Sequence, residues 1–476
     1  MGLELEGFGW AVHEFGEAQL GDERRTARLV QLATILAERP TGSISEAAGS
    51  KAATKGAYRF FDNDAIDPDE ILRSHVEATY GRMNRQELVL VANDTTELVL
   101  TGHPATEGLG SVGSGSGVGL LAHGSLSMSE EGVPLGVLSL QRWVREESKG
   151  KRAKRKSLPI EEKESFKWLQ SLDAVIEAKA HCPDTSFVLM GDRESDVYDL
   201  FIKPRPEGVE LLVRASWNRA VLHPEKYLWE TIKAQPLALK VDIDIPRRAG
   251  QAARTATLSV RYHNITLKPP KHRVKEKLQS VTLGVVWALE ENPPPDIEPL
   301  EWLLLGSMPV NSPEEAHQRL GWYTKRFGIE VWHKVLKSGC RIEERQFKSR
   351  ENIERALALY SVIAWRILYA VMLGRHVPDA PCTALLDSEE WQALYCTIHQ
   401  TPTPPSNPPV LGDAVRWIAM LGGFLARKGD GQPGVKSFWQ GFQRLSDLTT
   451  MYRILRPSQP KSPPKPSASA QIEKCG

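Results

Sequence analysis

Tyr323, Arg326, Glu330 and Lys337 follow one another at spacings of three, four and seven residues. At 100° per helical residue they fall within an arc of roughly 60°, so one helix face carries all four. Ile329, Val331, Trp332, Val335 and Leu336 point to the other side, which predicts a helix that packs inward and presents a carboxylate among two cations and a phenol. Two further acids stand where strands are predicted to end: Asp94 after Glu87–Ala92, and Asp192 after Ser186–Met190 and Gly191. Hard Mg²⁺ or Mn²⁺ ions prefer oxygen ligands and are commonly held by a few carboxylates and a substrate phosphate. Three acids suit two such ions. One ion helps deprotonate an attacking water or 3′-hydroxyl and the other stabilises the leaving oxygen, a displacement at phosphorus that needs no histidine base. Arg326 can grip a phosphate bidentately, Lys337 as a point charge, and Tyr323 by donating a hydrogen bond. Taken singly, an Asp after a strand is also a turn former or helix cap, and a helical Glu near Arg is also a surface ion pair.

Residues 1–74 read as a helical module, in which Leu20-Gly21-Asp22 offers a turn and cap before Leu29, Val30, Leu32 and Ala33 at helical spacing, with a second helix near Lys51–Phe61. Arg24, Arg25 and Arg28 on the first of these helices fit either a DNA reader or a solvated face. From residue 75 to 374 the pattern is α/β. A buried strand ends at Asn93-Asp94, a hairpin spans Gly117–Met128 and Val133–Val144, and a helix covers Ser165–Ala180. A second buried strand at Ser186–Met190 is followed by a helix at Ser195–Ile202. A β-rich insertion is expected at about 205–308, then the helix bearing the four-residue face, and a long apolar helix at 350–374. Residues 375–455 read as mostly helical, and 456–476 as a basic, Pro/Ser-rich, disordered tail.

A chain of 476 residues with 41% hydrophobic and 25% charged content has room for two or three domains and a proper core. Its formal net charge of +1 does not by itself reveal a nucleic-acid binder, so that function must rest on local clusters. Arg24–Arg28 is one. Lys149–Lys156 is another, a run that either tracks DNA or is a solvated loop. No apolar run near twenty residues and no leader are evident, which leads to an expectation of a cytoplasmic protein without membrane insertion. Five scattered cysteines without a CxxC pair disfavour a disulfide framework and a zinc site.

Together these residues resemble the cut-and-paste DDE transposases of bacterial insertion sequences, in the subgroup with a Tyr-(2)-Arg-(3)-Glu-(6)-Lys signature. Leu20-Gly21-Asp22-x-Arg24-Arg25-x-x-Arg28-Leu29, Gly56-Ala57-Tyr58-Arg59-Phe60, Asp94-Thr95-Thr96, Glu162-Lys163-Glu164-Ser165-x-Lys167-Trp168, Asp192-Arg193-Glu194-x-Asp196, Glu301-Trp302-Leu303-Leu304-Leu305 and Leu421-Gly422-Gly423-Phe424 look like family blocks in family order. The resemblance implies an RNase H-like catalytic core with a β-rich insertion, a helical N-terminal domain that binds transposon-end DNA, and a helical C-terminal dimerisation domain. It implies Asp94, Asp192 and Glu330 as the metal triad for two Mg²⁺ ions, with Mn²⁺ able to substitute, and Tyr323, Arg326 and Lys337 as residues that hold the DNA end. By the same resemblance Trp302 stacks on a base flipped out during hairpin formation, against a plain alternative of core packing, and Arg214 lies near that DNA. The implied partners are double-stranded transposon-end DNA, target DNA and a second copy in a synaptic complex, in a bacterial, nucleoid-associated setting. Two departures stand out: Ser195 where the family commonly has Ala, and Phe327 where a close relative has Trp. The rivals are a non-transposing RNase H-like nuclease and a non-catalytic DNA-binding inhibitor of transposition.

Overall fold

Polar caps start the N-terminal helices where the sequence places them. The computed structural model describes residues 9–113, 116–145, 158–245 and 253–456, so the run Lys149–Lys156 and the tail beyond Arg456 lie outside the described residues. Helix α1 (Trp10–Phe15) precedes α2 (Glu23–Glu38), which Asp22 caps by accepting from the Arg24 amide. A Ser43–Glu46 capping box opens α3 (Ile44–Ala48), Ser50 caps α4 (Lys51–Phe61), and Asp67 with Pro68 opens α5 (Pro68–Met83). These helices share one apolar core with the body of the protein: Leu29, Leu36, Phe60 and Phe61 are buried in the same cluster as Ile353 and Leu357. Arg355 fastens the junction by donating to the carbonyls of Ile66 and Phe61 and to Asp64, and Arg345 does so at the carbonyls of Pro40 and Gly42.

One ten-stranded sheet forms the centre of the protein. Strands β1 (Leu88–Val99), β2 (Gly110–Val112), β3 (Gly117–Ser129) and β4 (Pro134–Trp143) come first; α6 (Phe166–His181), β5 (Ser186–Gly191), α7 (Tyr198–Ile202), β6 (Val209–Arg214) and α8 (Leu228–Lys233) are next along the chain. Then come β7 (Leu239–Ile245), β8 (Arg254–Leu267), β9 (Val281–Glu290), β10 (Glu301–Gly306), α9 (Pro313–Lys325), α10 (Phe327–Lys334), α11 (Arg350–His376), α12 (Ser388–His399), α13 (Leu411–Leu421) and α14 (Val435–Leu455). The strand order is β2-β3-β1-β5-β6-β10-β9-β8-β7, with β4 also on β3; β1, β5 and β6 run parallel and the other pairings are antiparallel. Strand β6, expected within the insertion, therefore belongs to the parallel centre, and β7–β10 extend the same sheet instead of folding as a separate module.

Both faces of the parallel centre are covered, as its uninterrupted apolar runs require. Leu90, Ala92, Val188 and Met190 enter the core containing α10 and α11, whereas Val89, Val91, Phe187 and Leu189 enter the core built on Trp168 and Leu172 of α6. Three expectations need correction. Strand β1 continues past Asp94 to Val99, because β3 pairs with it along that whole length. The helix expected at Ser195–Ile202 is a 3-10 turn at Arg193–Ser195 followed by α7. Helix α11, 27 residues long, is apolar enough to cross a membrane by length and composition, against the expectation of no such run; 89% of its most apolar window is buried inside the protein. Among the described residues Cys182, Cys340, Cys382 and Cys396 are free.

Candidate active site

Strand parity decides which acids can meet α10. Leu90 and Ala92 face the α10 side of the sheet, and with a period of two Asp94 shares that face. The last parallel pair between β1 and β5 is Ala92 with Met190, so Asp94 lies just past the point where β5 stops and Asp192 turns away. Asp192 caps the 3-10 turn, accepting from the Glu194 amide at 2.9 Å. Ser195 tightens this turn: it is buried, its Oγ donates to the Asp192 carbonyl at 2.6 Å, and a Cβ on Gly191 would come within 2.5 Å of its own Cβ. The hydroxyl that departs from the family pattern therefore has a structural use.

Two glycines let α10 approach the sheet above Asp94. Gly124, the register partner of Asp94 on β3, faces the Trp332 ring so closely that a Cβ would stand 2.6 Å from it, and a Cβ on Gly328 would stand 2.9 Å from Met128 Sδ. Trp332 is fully buried and donates its Nε1–H to the Ser361 carbonyl at 3.0 Å. This seat fixes the neighbouring polar face of the helix. Arg326 Nη2 donates to Glu330 Oε1 at 2.7 Å, while Arg326 Nη1 and His333 Nδ1 stand 4.0 and 3.8 Å from Asp94 Oδ2, beyond hydrogen-bond range.

The electrostatics link all three acids. Burial pushes the Asp94 carboxyl up to about 6, with Arg326 opposing and the charges of Asp192 and Glu330 adding to the rise. Burial also raises Asp192, against the Glu194 amide, Arg326 and Lys167. Although burial disfavours its cation, Tyr323, Asp94, Glu330 and Asp192 together hold Arg326 above its ordinary range. Burial raises the Tyr323 phenol, which stays a protonated donor at neutral pH. The Trp302 ring, half-buried, meets Tyr323 edge-on at 5.6 Å, and Arg214 Nη2 donates to the adjacent Glu301 carbonyl at 2.7 Å. Asp94, Asp192, Glu330, Tyr323, Arg326, Trp302 and Arg214 thus converge. Phe327, 43% exposed, presents an open ring beside them.

The remaining sequence candidates sit differently. The helix expected through Tyr323–Lys337 is not uniform: Arg326 is the joint between α9 and α10, with i→i+3 bonds on both sides, and Val335–Gly339 is a π turn. Within that turn Lys337 donates to the Glu97 carbonyl at 2.7 Å and pairs with Glu343 at 3.1 Å. On α2, Arg24 is 91% exposed beside Asp22, Arg25 donates to the Leu20 carbonyl, and Arg28 donates to Gln31. Sequence reasoning missed His333, one turn beyond Glu330, and His123, whose Nδ1 lies 2.9 Å from Thr95 Oγ1. Burial pushes His333 down to about 3, helped by Lys337 and Arg326, and His123 falls well below its usual range through burial, Lys167 and His333. Both are neutral imidazoles. The i,i+3 spacing from Glu330 could have flagged the first, but only the strand register could have flagged the second.

Among the described residues no group of three His, Cys, Asp or Glu side chains stands ready as a metal cage. The donor chemistry nonetheless fits a hard divalent ion, because Asp94, Asp192 and Glu330 offer only oxygen.

Residues 8–66 match the family described as Transposase DNA-binding, and residues 362–458 match the Transposase Tn5 dimerisation domain. Both flanks of the chain match transposase domains. The two matches support a Tn5-like DNA transposase that engages DNA and pairs with a second copy. The DNA-binding match takes in α2 with Arg24, Arg25 and Arg28, and the dimerisation match begins inside α11. Among solved structures, the cryo-EM piggyBac transposase synaptic complex with hairpin DNA is similar over 95% of this chain and 79% of that chain, at 9% identity and a TM-score of 0.36.

Proposed function

We propose that this protein is a cut-and-paste DDE transposase of a bacterial insertion sequence, most like the transposase of the composite kanamycin-resistance transposon. In this reading it frees the 3′ ends of its element by metal-dependent phosphoryl transfer through a hairpin and joins them to target DNA as a dimer in a synaptic complex. The observation that carries the reading is the meeting of Asp94, Asp192 and Glu330 around Arg326, with Tyr323, Trp302 and Arg214 at the same end of the central strands. The strand order β4-β3-β1-β5-β6, with three parallel central strands, supports an RNase H-like core.

Asp94, Asp192 and Glu330 would hold two Mg²⁺ ions, or Mn²⁺ in their place, once Glu330 is released from Arg326. Bound there, the ions supply Lewis acidity at the scissile phosphate and make the attacking oxygen more acidic. The chain's own groups bind and orient the DNA. Arg326, kept cationic by its neighbours, can turn its guanidinium fork from Glu330 to a phosphate, and protonated Tyr323 can donate to another oxygen. His333 and His123, neutral through burial, do not compete as charged groups. Trp302 offers a half-exposed face on which an extrahelical base can stack, beside Arg214. Lys337 would have to leave Glu97 and Glu343 before it could reach a phosphate.

Incubation of the full protein with a duplex copied from the DNA bordering the gene, with and without Mg²⁺, tests this. The expected products on a denaturing gel are a nick, then a hairpin, then joined strands. Asp94→Asn, Asp192→Asn and Glu330→Gln each abolish all three while retaining a gel shift, and near-normal cutting by any of them removes that residue from the triad.

A further inference from the structure

We propose that an exposed lysine strip, running from the loop after β6 to the segment between β8 and β9, is the docking track for the target duplex. The inference rests on the transposase reading and adds a surface and its partner to it. Lys226, Lys268, Lys271, Lys275 and Lys277 are all exposed, and none has an ion-pair partner among the described residues. They form one surface, because Val221 bridges Leu267, the Lys268 amide donates to the Ala220 carbonyl, and the Val221 amide donates to the Lys226 carbonyl. Leu222, Tyr227 and Val274 lie exposed among them. The nearby acids are mostly engaged: Arg273 binds Asp199 and Glu276, Asn218 binds Glu230, and Glu225 stays open to solvent.

The strip is anchored to the segment that carries Asp192. Asp196 accepts from the amides of Ser216 and Trp217 and from Arg219 Nε at 2.7, 2.9 and 2.8 Å, which fixes the loop leading out from Arg214. Arg273 grips Asp199 at 2.7 and 2.9 Å, and Tyr198 donates to the Gln279 carbonyl at 2.6 Å, which fixes the other end. Three residues separate Asp196 from Asp192, so Asp196, which anchors this loop, lies at most about 14 Å from that acid. That is less than half a helical turn of DNA, which is about 34 Å. Trp217, 64% exposed, projects from the anchored loop.

The chemistry selects the occupant. Five unpaired like charges complement the anionic backbone of a duplex, and lysine ammonium groups act as point charges without the planar guanidinium fork. Such a surface binds duplex of any sequence. Lys226 and Lys277 keep lysine at left-handed φ of 64° and 51°, where glycine would be free of strain. Flanking DNA is also arbitrary in sequence, but it arrives tethered to the bound end at high effective concentration and needs little affinity of its own. A target duplex must be captured from solution.

The test replaces the five lysines with glutamine in the full-length protein, and with glutamate in a second variant. Binding of an arbitrary-sequence duplex, followed by fluorescence anisotropy across salt concentrations, should lose about four units of log–log salt slope in the glutamine variant. Joining of pre-cleaved ends to a supercoiled plasmid should fall on the order of tenfold or more at moderate salt, further with glutamate, while cleavage of an end with its flank is unchanged. An unchanged salt slope would make the strip an ordinary solvated face. A cleavage defect that grows with flank length would assign it to flanking DNA and overturn the proposal. Absence of Mg²⁺-dependent cleavage by the wild-type protein would instead defeat the transposase reading, and the anisotropy slopes would still decide whether the strip binds duplex.

Discussion

Replacing Asp94 with asparagine should stabilise the metal-free protein while it destroys cutting. Asp94 sits 22% exposed above the sheet, and burial together with Asp192 and Glu330 raises its carboxyl from an ordinary 3.8 to about 6. The folded state therefore binds more protons than the unfolded state between these two values, so stability falls as pH rises through that window. Two units at 1.36 kcal/mol each give a loss of up to about 3 kcal/mol, complete above pH 6. Asparagine cannot ionise and escapes it. In denaturant unfolding with EDTA at pH 8, Asp94→Asn should be more stable than wild type by up to about 3 kcal/mol, and the difference should vanish near pH 3.5. Adding Mg²⁺ should stabilise only the wild type, through binding to the native state. An Asp94→Asn protein no more stable than wild type at pH 8, or equally stabilised at both pH values, would show that Asp94 does not carry this buried charge.

Gly124→Ala should drive its Cβ against Trp332, lifting α10 at a cost of about 1–3 kcal/mol and lowering cleavage; Gly124→Ser should do the same, and melting with a cleavage assay measures both. Trp302→Ala should impair hairpin formation more than the first nick, because surrogate base stacking worth about 1–3 kcal/mol is lost only when a base leaves the helix; Phe should restore part of it. Equal loss at every step with a lowered melting point would assign Trp302 to packing against Tyr323 instead. Arg24→Ala should reduce the salt slope of end binding by about one without changing stability, whereas Arg25→Ala should loosen the Leu20 turn and lower the melting point.

Continuous apolar runs made β1 and β5 legible, the turn at Glu130-Glu131-Gly132 marked the β3–β4 hairpin, and the Asp22 cap marked the start of α2, because each of these signals is local. The extent of β1 was not legible. Asn93-Asp94-Thr95-Thr96 looks like a strand terminus, yet Asn93 is buried and donates to the carbonyls of Val91 and Met190, so the polar stretch is absorbed by neighbouring strands. The membership of β6 was hidden for a related reason: its partner β5 lies across α7, and a parallel pairing leaves no turn signal between its strands.

For the site, residue types carried more than spacing did. A uniform 100° rotation placed Tyr323, Arg326, Glu330 and Lys337 on one arc; Tyr323, Arg326 and Glu330 lie beside the aspartates, and Lys337, inside a π turn, is held by the Glu97 carbonyl and Glu343. The deviation comes from tertiary packing. Trp332 must seat over Gly124 and donate to the Ser361 carbonyl, while Val335 and Leu336 must enter the core, and a π turn at Val335–Gly339 reconciles these demands by adding a residue to the turn. No periodicity in the sequence announces that turn, and the missing Cβ that seats Trp332 lies on a strand some two hundred residues earlier. His123 was invisible on the same grounds, since only the register of β1 against β3 brings it to Thr95, on the Trp168 face of the sheet. The sequence names the reactive groups, and the close approach of one helix to one sheet decides which of them meet.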